Sequence, residues 1–231
     1  MLGRFLEIAL VTAEPQADWE SYQRLGFAPA VTGDIWSHAY GVVCCAGLSL
    51  GWHAEADEPL ALCTVRPNVL ELLRELESAG VEVESARLGP DVFNQLKLRD
   101  PSGLALRVLE ARTFTPPADT PGRTLLGRSE TLSLPIPDVE MATAFWNSLG
   151  YAARESATPL GGMEIDGLPI AYHASRQCPG PLLVFNRDAQ ALELEPLLAC
   201  GLQRGRSLPA LSGTDHQLLR SPGEIDLLLL A

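Results

Sequence analysis

The chain repeats itself, and a repeat of about half its length restricts the possible folds more than any other feature. Gly47-Leu48-Ser49-Leu50-Gly51-Trp52-His53-Ala54 returns 120 residues later as Gly167-Leu168-Pro169-Ile170-Ala171-Tyr172-His173-Ala174. Tyr22-Gln23-Arg24-Leu25-Gly26-Phe27 has a counterpart in Trp146-Asn147-Ser148-Leu149-Gly150-Tyr151. Asp100-Pro101-Ser102-Gly103 aligns with Ser221-Pro222-Gly223, again with glycines 120 apart. Three anchors in one order imply a duplication. Between the copies, Thr113 to Gly122 holds three prolines and a glycine among polar residues and reads as a linker. The expected organisation is a domain over 1–112, a linker over 113–127 and a second domain over 128–231.

Each copy divides once more. Phe5–Val11 alternates as a strand does. Pro15–Leu25 reads as a helix, with proline in its first turn and Gly26 as its stop. Short strands are expected over Phe27–Val31, Ser37–Cys45 and Leu48–His53. The order then restarts with a strand at Leu60–Val65, a helix at Pro67–Ala79, and strands near Val81–Glu84, Phe93–Leu98 and Leu104–Glu110. In the second copy, Thr131–Ile136 and Leu182–Phe185 open the units, with helices at Val139–Leu149 and near Leu192–Cys200. The pattern is βαβββ, four times.

Composition closes off several function classes. The net charge of -12 disfavours a nucleic-acid partner, whose phosphates need a basic surface, and also a polybasic membrane contact. No apolar run approaches the roughly 18 residues of a membrane span. The amino terminus lacks the pattern of a signal peptide. Five cysteines without C-x-x-C spacing read as buried, reduced thiols. A cytoplasmic monomer or homodimer with a small-molecule ligand is expected. Nucleotide-binding glycine loops, the G-x-S-x-G elbow and H-E-x-x-H are absent from the sequence.

Paired βαβββ units of this length resemble the vicinal oxygen chelate superfamily of glyoxalases, bleomycin-resistance proteins and extradiol dioxygenases. The opening Glu7-Ile8-Ala9-Leu10 with Leu25-Gly26-Phe27, and the turn Asp100-Pro101-Ser102-Gly103 before Leu104–Arg107, carry the likeness. The resemblance implies an α+β fold: four βαβββ units forming two cup-shaped mixed sheets, helices outside and the ligand inside. Whether units pair within a half, between halves or between chains is left open.

Strand parity then assigns faces. Phe5, Glu7, Ala9, Ser49, Gly51, His53, Ala105 and Arg107 face the first cup. Thr131, Ser133, Ala171, His173, Asp226 and Leu228 face the second. The superfamily's metal enzymes place His, Gln or Glu on the opening strand of each unit and Glu on its last strand. The resemblance maps these positions onto Glu7, roughly Gly51, Leu60 and Arg107, and onto Thr131, roughly Ala171, Pro181 and Asp226. Most of these cannot ligate a cation, and Arg107 carries a permanent positive charge. Neither a metal nor another cofactor is therefore expected.

The reading that follows is a metal-free cup holding a small, partly apolar or anionic compound. Alternatives are a lyase or isomerase using His and carboxylate proton transfer, a metal-dependent glyoxalase or dioxygenase, and a scaffold. Candidate catalytic residues are His173, with Asp226 orienting it, and Glu7. Candidate ligand-binding residues are Arg107, His53, Phe5, Phe93 and Thr131. Glu7 and Arg107 either neutralise one another as an ion pair or hold a ligand together. His38, His216 and the aromatic residues Trp36, Trp52 and Tyr172 read as structural.

Overall fold

In the computed structural model the described residues are 1–32, 36–117, 120–188, 193–205, 208–212 and 215–230. The first half runs β1 (Arg4–Val11), α1 (Pro15–Arg24), β2 (Ala28–Pro29), β3 (Tyr40–Cys45), β4 (Leu48–His53), β5 (Leu60–Arg66), α2 (Val69–Ser78), β6 (Ser85–Arg87), β7 (Gln95–Arg99) and β8 (Ala105–Glu110). The second runs β9 (Arg128–Ile136), α3 (Val139–Ser148), β10 (Ala153–Glu155), β11 (Met163–Ile165), β12 (Ile170–Ala174), β13 (Leu182–Asn186), α4 (Leu194–Ala199), β14 (Gln203–Arg204), β15 (His216–Arg220) and β16 (Asp226–Leu230). The first residues of the expected fourth helix, near Leu192, lie outside the described residues.

Among the described residues these strands form two eight-stranded mixed sheets, ordered β2-β3-β4-β1-β5-β8-β7-β6 and β10-β11-β12-β9-β13-β16-β15-β14. β1 runs antiparallel to β5, and each pairs in parallel with the last strand of its own unit, β4 or β8. The second sheet repeats this with β9, β13, β12 and β16. The open question of pairing is thereby answered: units close within each half.

Local chemistry explains the helices. Asn68 caps α2 by accepting from the Glu71 N–H at 3.2 Å, and Asp138 caps α3 by accepting from the Glu140 N–H at 2.9 Å. Val81 and Val83 were expected to form a strand. They pack against the core instead, and the ladder starts later, at Ser85. The apolar pair anchors this segment to the core, and pairing with β7 begins at Ser85, opposite Lys97.

A β-bulge interrupts the pairing of β1 with β5. Phe5 lies opposite Thr64, and Glu7 opposite Cys63, so Leu6 is the extra residue. The same bulge recurs between β9 and β13, where Ser129 faces Phe185 and Thr131 faces Val184. The bulge corrects the parity expectation at Phe5: its ring packs against the main core, and Leu6 packs against the small residues of the cup.

The repeat also needs a one-residue correction. Gly103 N–H bonds Asp100 O, and Glu224 N–H bonds Ser221 O, both at 3.0 Å. Asp100 thus corresponds to Ser221, and Gly103 to Glu224 rather than Gly223. Both take positive φ, 90° and 62°, so Glu224 holds a backbone conformation that its glycine counterpart adopts more easily. In register, Ala105 faces Ala61 and Arg107 faces Cys63, while Asp226 faces Leu182 and Leu228 faces Val184. The second-half equivalent of Arg107 is therefore Leu228, not Asp226.

One continuous core joins the helix-facing sides of both sheets, with Tyr22, Trp52, Trp146 and Tyr172 all buried in it. The two turns cross over reciprocally. Asp100, before β8, accepts a short hydrogen bond from Tyr172 OH, which in turn accepts from Trp146 Nε1 at 2.6 Å. Gly223, before β16, lies against Trp52 and Asp18 with no room for a side chain. Ser21 Oγ donates to Cys200 O at 2.6 Å, and Ser129 Oγ to Cys45 O at 2.9 Å, so the halves are also tied by buried hydrogen bonds.

Tyr172→Phe removes the hydroxyl that both Asp100 and Trp146 use. Two buried polar groups lose a partner, each worth about 1–3 kcal/mol. Urea unfolding should show a loss of about 2–6 kcal/mol with the unfolding slope unchanged; a loss below about 0.5 kcal/mol would show that the bridge does not hold the halves together.

Candidate functional site

The two cups differ in what fills them. Ala9, Ala61, Cys63 and Ala105 form the buried floor of the first cup. Burial pushes the Cys63 thiol far above its ordinary range, so it is a neutral wall residue. In the second cup the positions matching Cys63 and Arg107 are Val184 and Leu228. These pack with Leu182, Leu160, Leu208 and Leu218 into a buried apolar cluster. Thr131 is buried on that filled side.

Glu7 projects from β1 just beyond the bulge and is buried. Its carboxylate accepts from His53 Nε2 at 3.1 Å, and His53 Nδ1 lies 2.9 Å from His38 Nε2. His53 reaches back from the end of β4 across Gly51. A Cβ at Gly51 would overlap Glu7 Oε2 and lie 2.8 Å from His53 Nε2. The Tyr40 ring stacks on His53 with centroids 5.3 Å apart, and Trp36 meets the same imidazole edge-on at 5.6 Å.

Arg107, from β8, is buried and holds its guanidinium 5.9 Å from the centre of the Trp36 ring. Its nearest carboxylate is that of the exposed Asp57, at 3.8 Å, and its Nη2 is buried without a hydrogen-bond partner. The Glu7–Arg107 ion pair expected from sequence does not form, because His53 takes the carboxylate. Lys97 lies across the ladder from Arg107 and is bound by Glu58. Hydrogen bonds from Arg99 and Lys97 hold the Glu58 carboxyl down at about 2, so Glu58 stays ionised and Lys97 stays engaged.

Two cavities meet at Trp36. One, about 350 Å³, is lined by Trp36, His38, Glu55, Asp57, Lys97 and Arg107. The other, about 230 Å³, is lined by Leu6, Glu7, Trp36, Tyr40, Cys44 and Phe114 among others. Burial, then the neighbouring His53, lowers the pKa of His38, so its imidazole is neutral at pH 7. Among the described residues no three His, Cys, Asp or Glu side chains are arranged to hold a metal ion. No described helix is long and apolar enough to cross a membrane, and all five cysteines are free and buried.

The expected His173–Asp226 pair is not formed. His173 is fully buried, with Nδ1 2.8 Å from Ser133 Oγ and Nε2 3.0 Å from the Cys178 carbonyl. Asp226 accepts from Arg220 at 2.9 Å and lines a separate cavity of about 920 Å³ between the halves. Phe93 is exposed in the turn before β7, where the Asn94 side chain accepts from the Gly89 N–H and donates to Glu110. Sequence reasoning undervalued His38, Trp36 and Tyr40. The signal was alternation: Trp36, His38, Tyr40, Val42 and Cys44 continue one face of β3 beyond its first residue.

No protein-family model matches the sequence, and no curated protein matches it. Solved structures do match. A catechol 2,3-dioxygenase aligns with a TM-score of 0.57 and 17% identity, covering 97% of this chain and 91% of that one. The Mn(II)-bound glyoxalase from Novosphingobium aromaticivorans aligns at 0.59 and 14%, covering 97% and 80%. Homoprotocatechuate 2,3-dioxygenase from Arthrobacter globiformis aligns at 0.59 and 12%, covering 99% and 79%. Likeness at these identities establishes the fold.

Two outcomes test this geometry. Gly51→Ala should cost about 1–3 kcal/mol through overpacking and separate Glu7 from His53, seen as a changed imidazole chemical shift of His53 by NMR; an unchanged shift would mean the contact has slack. His173 has its pKa lowered by burial from the ordinary 6.5. Below 6.5 the unfolded chain therefore binds the proton first, and stability contributed by the neutral ring is lost as pH falls. His173→Asn should flatten the decline of the urea midpoint between about pH 7 and 5; an equally steep decline would assign it to other groups.

Proposed function

We propose that this chain, which has the paired-βαβββ fold seen in extradiol dioxygenases and a glyoxalase, binds a small, partly apolar anion in its first cup without a resident metal ion. The observation that carries this reading is the contrast between the cups. A cavity lined by Trp36, His38 and the buried Arg107 opens in the first, whereas Val184, Leu228 and neighbouring leucines pack into a buried apolar cluster in the second. The cavity beside Arg107, about 350 Å³, is the size of a small-ligand site.

The metal-free part rests on the donor set. Glu7 is engaged by His53, and the other positions implicated by the fold hold Gly51, Leu60 and Arg107. A divalent ion needs several converging oxygen or nitrogen ligands, and a guanidinium in the same cup repels it. The residues present do not fit the group. The anionic part rests on Arg107, whose buried Nη2 lacks an acceptor, while the Trp36 ring beneath it offers an apolar face. A carboxylate supplies the paired acceptors that a guanidinium favours.

Benzoate is a suitable probe. Calorimetry should detect binding to the intact protein, and Arg107→Met should weaken it about 10- to 100-fold, the equivalent of a charged hydrogen bond at about 1.5–3 kcal/mol. Absent or Arg107-independent binding would refute the anion site. Mn(II) or Fe(II) should leave the melting temperature unchanged, and a clear rise would refute the metal-free reading.

A further inference from the structure

We infer that Glu7, His53 and His38 form a proton relay that makes His38 a general base facing the ligand, so that the first cup abstracts an acidic proton from what it binds. This deepens the proposed anion site and rests on that reading for the position of the ligand. Hydrogen-bond direction gives the relay its sense. An ionised Glu7 can only accept, so His53 carries its proton on Nε2. His53 Nδ1 is then an acceptor, and His38 must donate from Nε2. The remaining lone pair of the chain is on His38 Nδ1, on a half-buried ring lining the same cavity as Arg107.

The second half supplies the contrast. His173 occupies the position of His53, yet both its ring nitrogens end on Ser133 and Cys178 O. Thr131 replaces Glu7, and Ala171 replaces Gly51, whose missing Cβ leaves the space for Glu7 and His53 to meet. The chain of acidic and basic groups is therefore built in one copy of the fold, the copy with the open cup.

In the step itself, a ligand C–H bond breaks and its electron pair stays on the ligand. The proton goes to His38 Nδ1. The resulting imidazolium keeps its Nε2–H on His53, whose own N–H points at the Glu7 carboxylate, so charge is stabilised along the chain. Arg107 faces the anion that develops. Returning the proton to another atom gives an isomer, and loss of a leaving group gives an elimination; neither needs an oxidant or reductant. Facing His38 are His53 and Glu55 from β4 and the segment after it, Glu7 from β1 and Arg107 from β8. The base is neutral at pH 7, as abstraction requires.

A nitrobenzisoxazole tests the base directly: removal of its ring proton breaks the N–O bond and releases a coloured cyanonitrophenolate. Turnover by the intact protein should saturate and exceed that of free imidazole at equal concentration. His38→Ala should lose on the order of 10²-fold, and the half-buried position of His38 makes a folding failure separable by circular dichroism. Glu7→Gln should lower the rate and shift the acidic limb of the pH profile, and should move the NMR titration of His38, which Glu7 does not touch. No turnover above imidazole, turnover kept in His38→Ala, or a His38 titration unmoved by Glu7→Gln would each overturn the relay. Benzoate binding that depends on Arg107 without His38-dependent turnover leaves the anion site standing and removes the relay. His38-dependent turnover without benzoate binding does the reverse.

Discussion

The pairing of β1 with β5 is the constraint on which the rest depends. It joins two units that could not cover their own apolar faces, and its bulge decides which side chains enter the cup. A regular ladder would keep one parity along the strand, sending Phe5 and Glu7 to the same side. The extra residue, Leu6, instead lets Phe5 join the core while Glu7 enters the cup. The recurrence of the bulge in β9 and β13 makes it a property of the fold, not of the site. What differs is the residue beyond it, a glutamate in one half and a threonine in the other.

The halves divide the work. Both contribute to a continuous core, and each turn before a closing strand packs on aromatic residues of the other half. Leucine side chains in the second cup each add roughly 1.5–3 kcal/mol of burial where the first cup has alanines and a cysteine. The first cup forgoes that burial by using alanines and places charged groups there instead. A protein only 5–15 kcal/mol from unfolding tolerates one such cup more easily when its twin is filled.

Much of the fold was legible because alternation, helix stops and the repeat are local signals with fixed physical causes. The motif around His53 and His173 located equivalent strand ends without any structure. What failed were the places where one residue is inserted or register is displaced. Parity cannot detect a bulge, so Phe5 was turned the wrong way. Matching glycine to glycine missed that Glu224 takes the left-handed turn position, and in register the counterpart of Arg107 is Leu228 rather than Asp226. Of the candidate site, Glu7, His53 and Arg107 share the first cup; His173, Asp226 and Thr131 do not. His38, inside the strand expected over Ser37–Cys45 but before its observed start at Tyr40, read only as structural because its sequence neighbours do not show that it meets His53.

The electrostatics of the first cup follow from a choice of partners. Had Glu7 paired with Arg107, two buried charges would have cancelled and neither would have been left to act. His53 intervenes because Gly51 admits it, and takes the carboxylate for itself. Arg107 is then left with a distant, exposed Asp57 and the face of Trp36, neither of which satisfies a buried guanidinium nitrogen. A buried cation in this state stabilises an anion more than water would, because the desolvation cost has already been met in folding. One absent Cβ thus keeps the Glu7 carboxylate on His53 and leaves the Arg107 Nη2 without a hydrogen-bond partner.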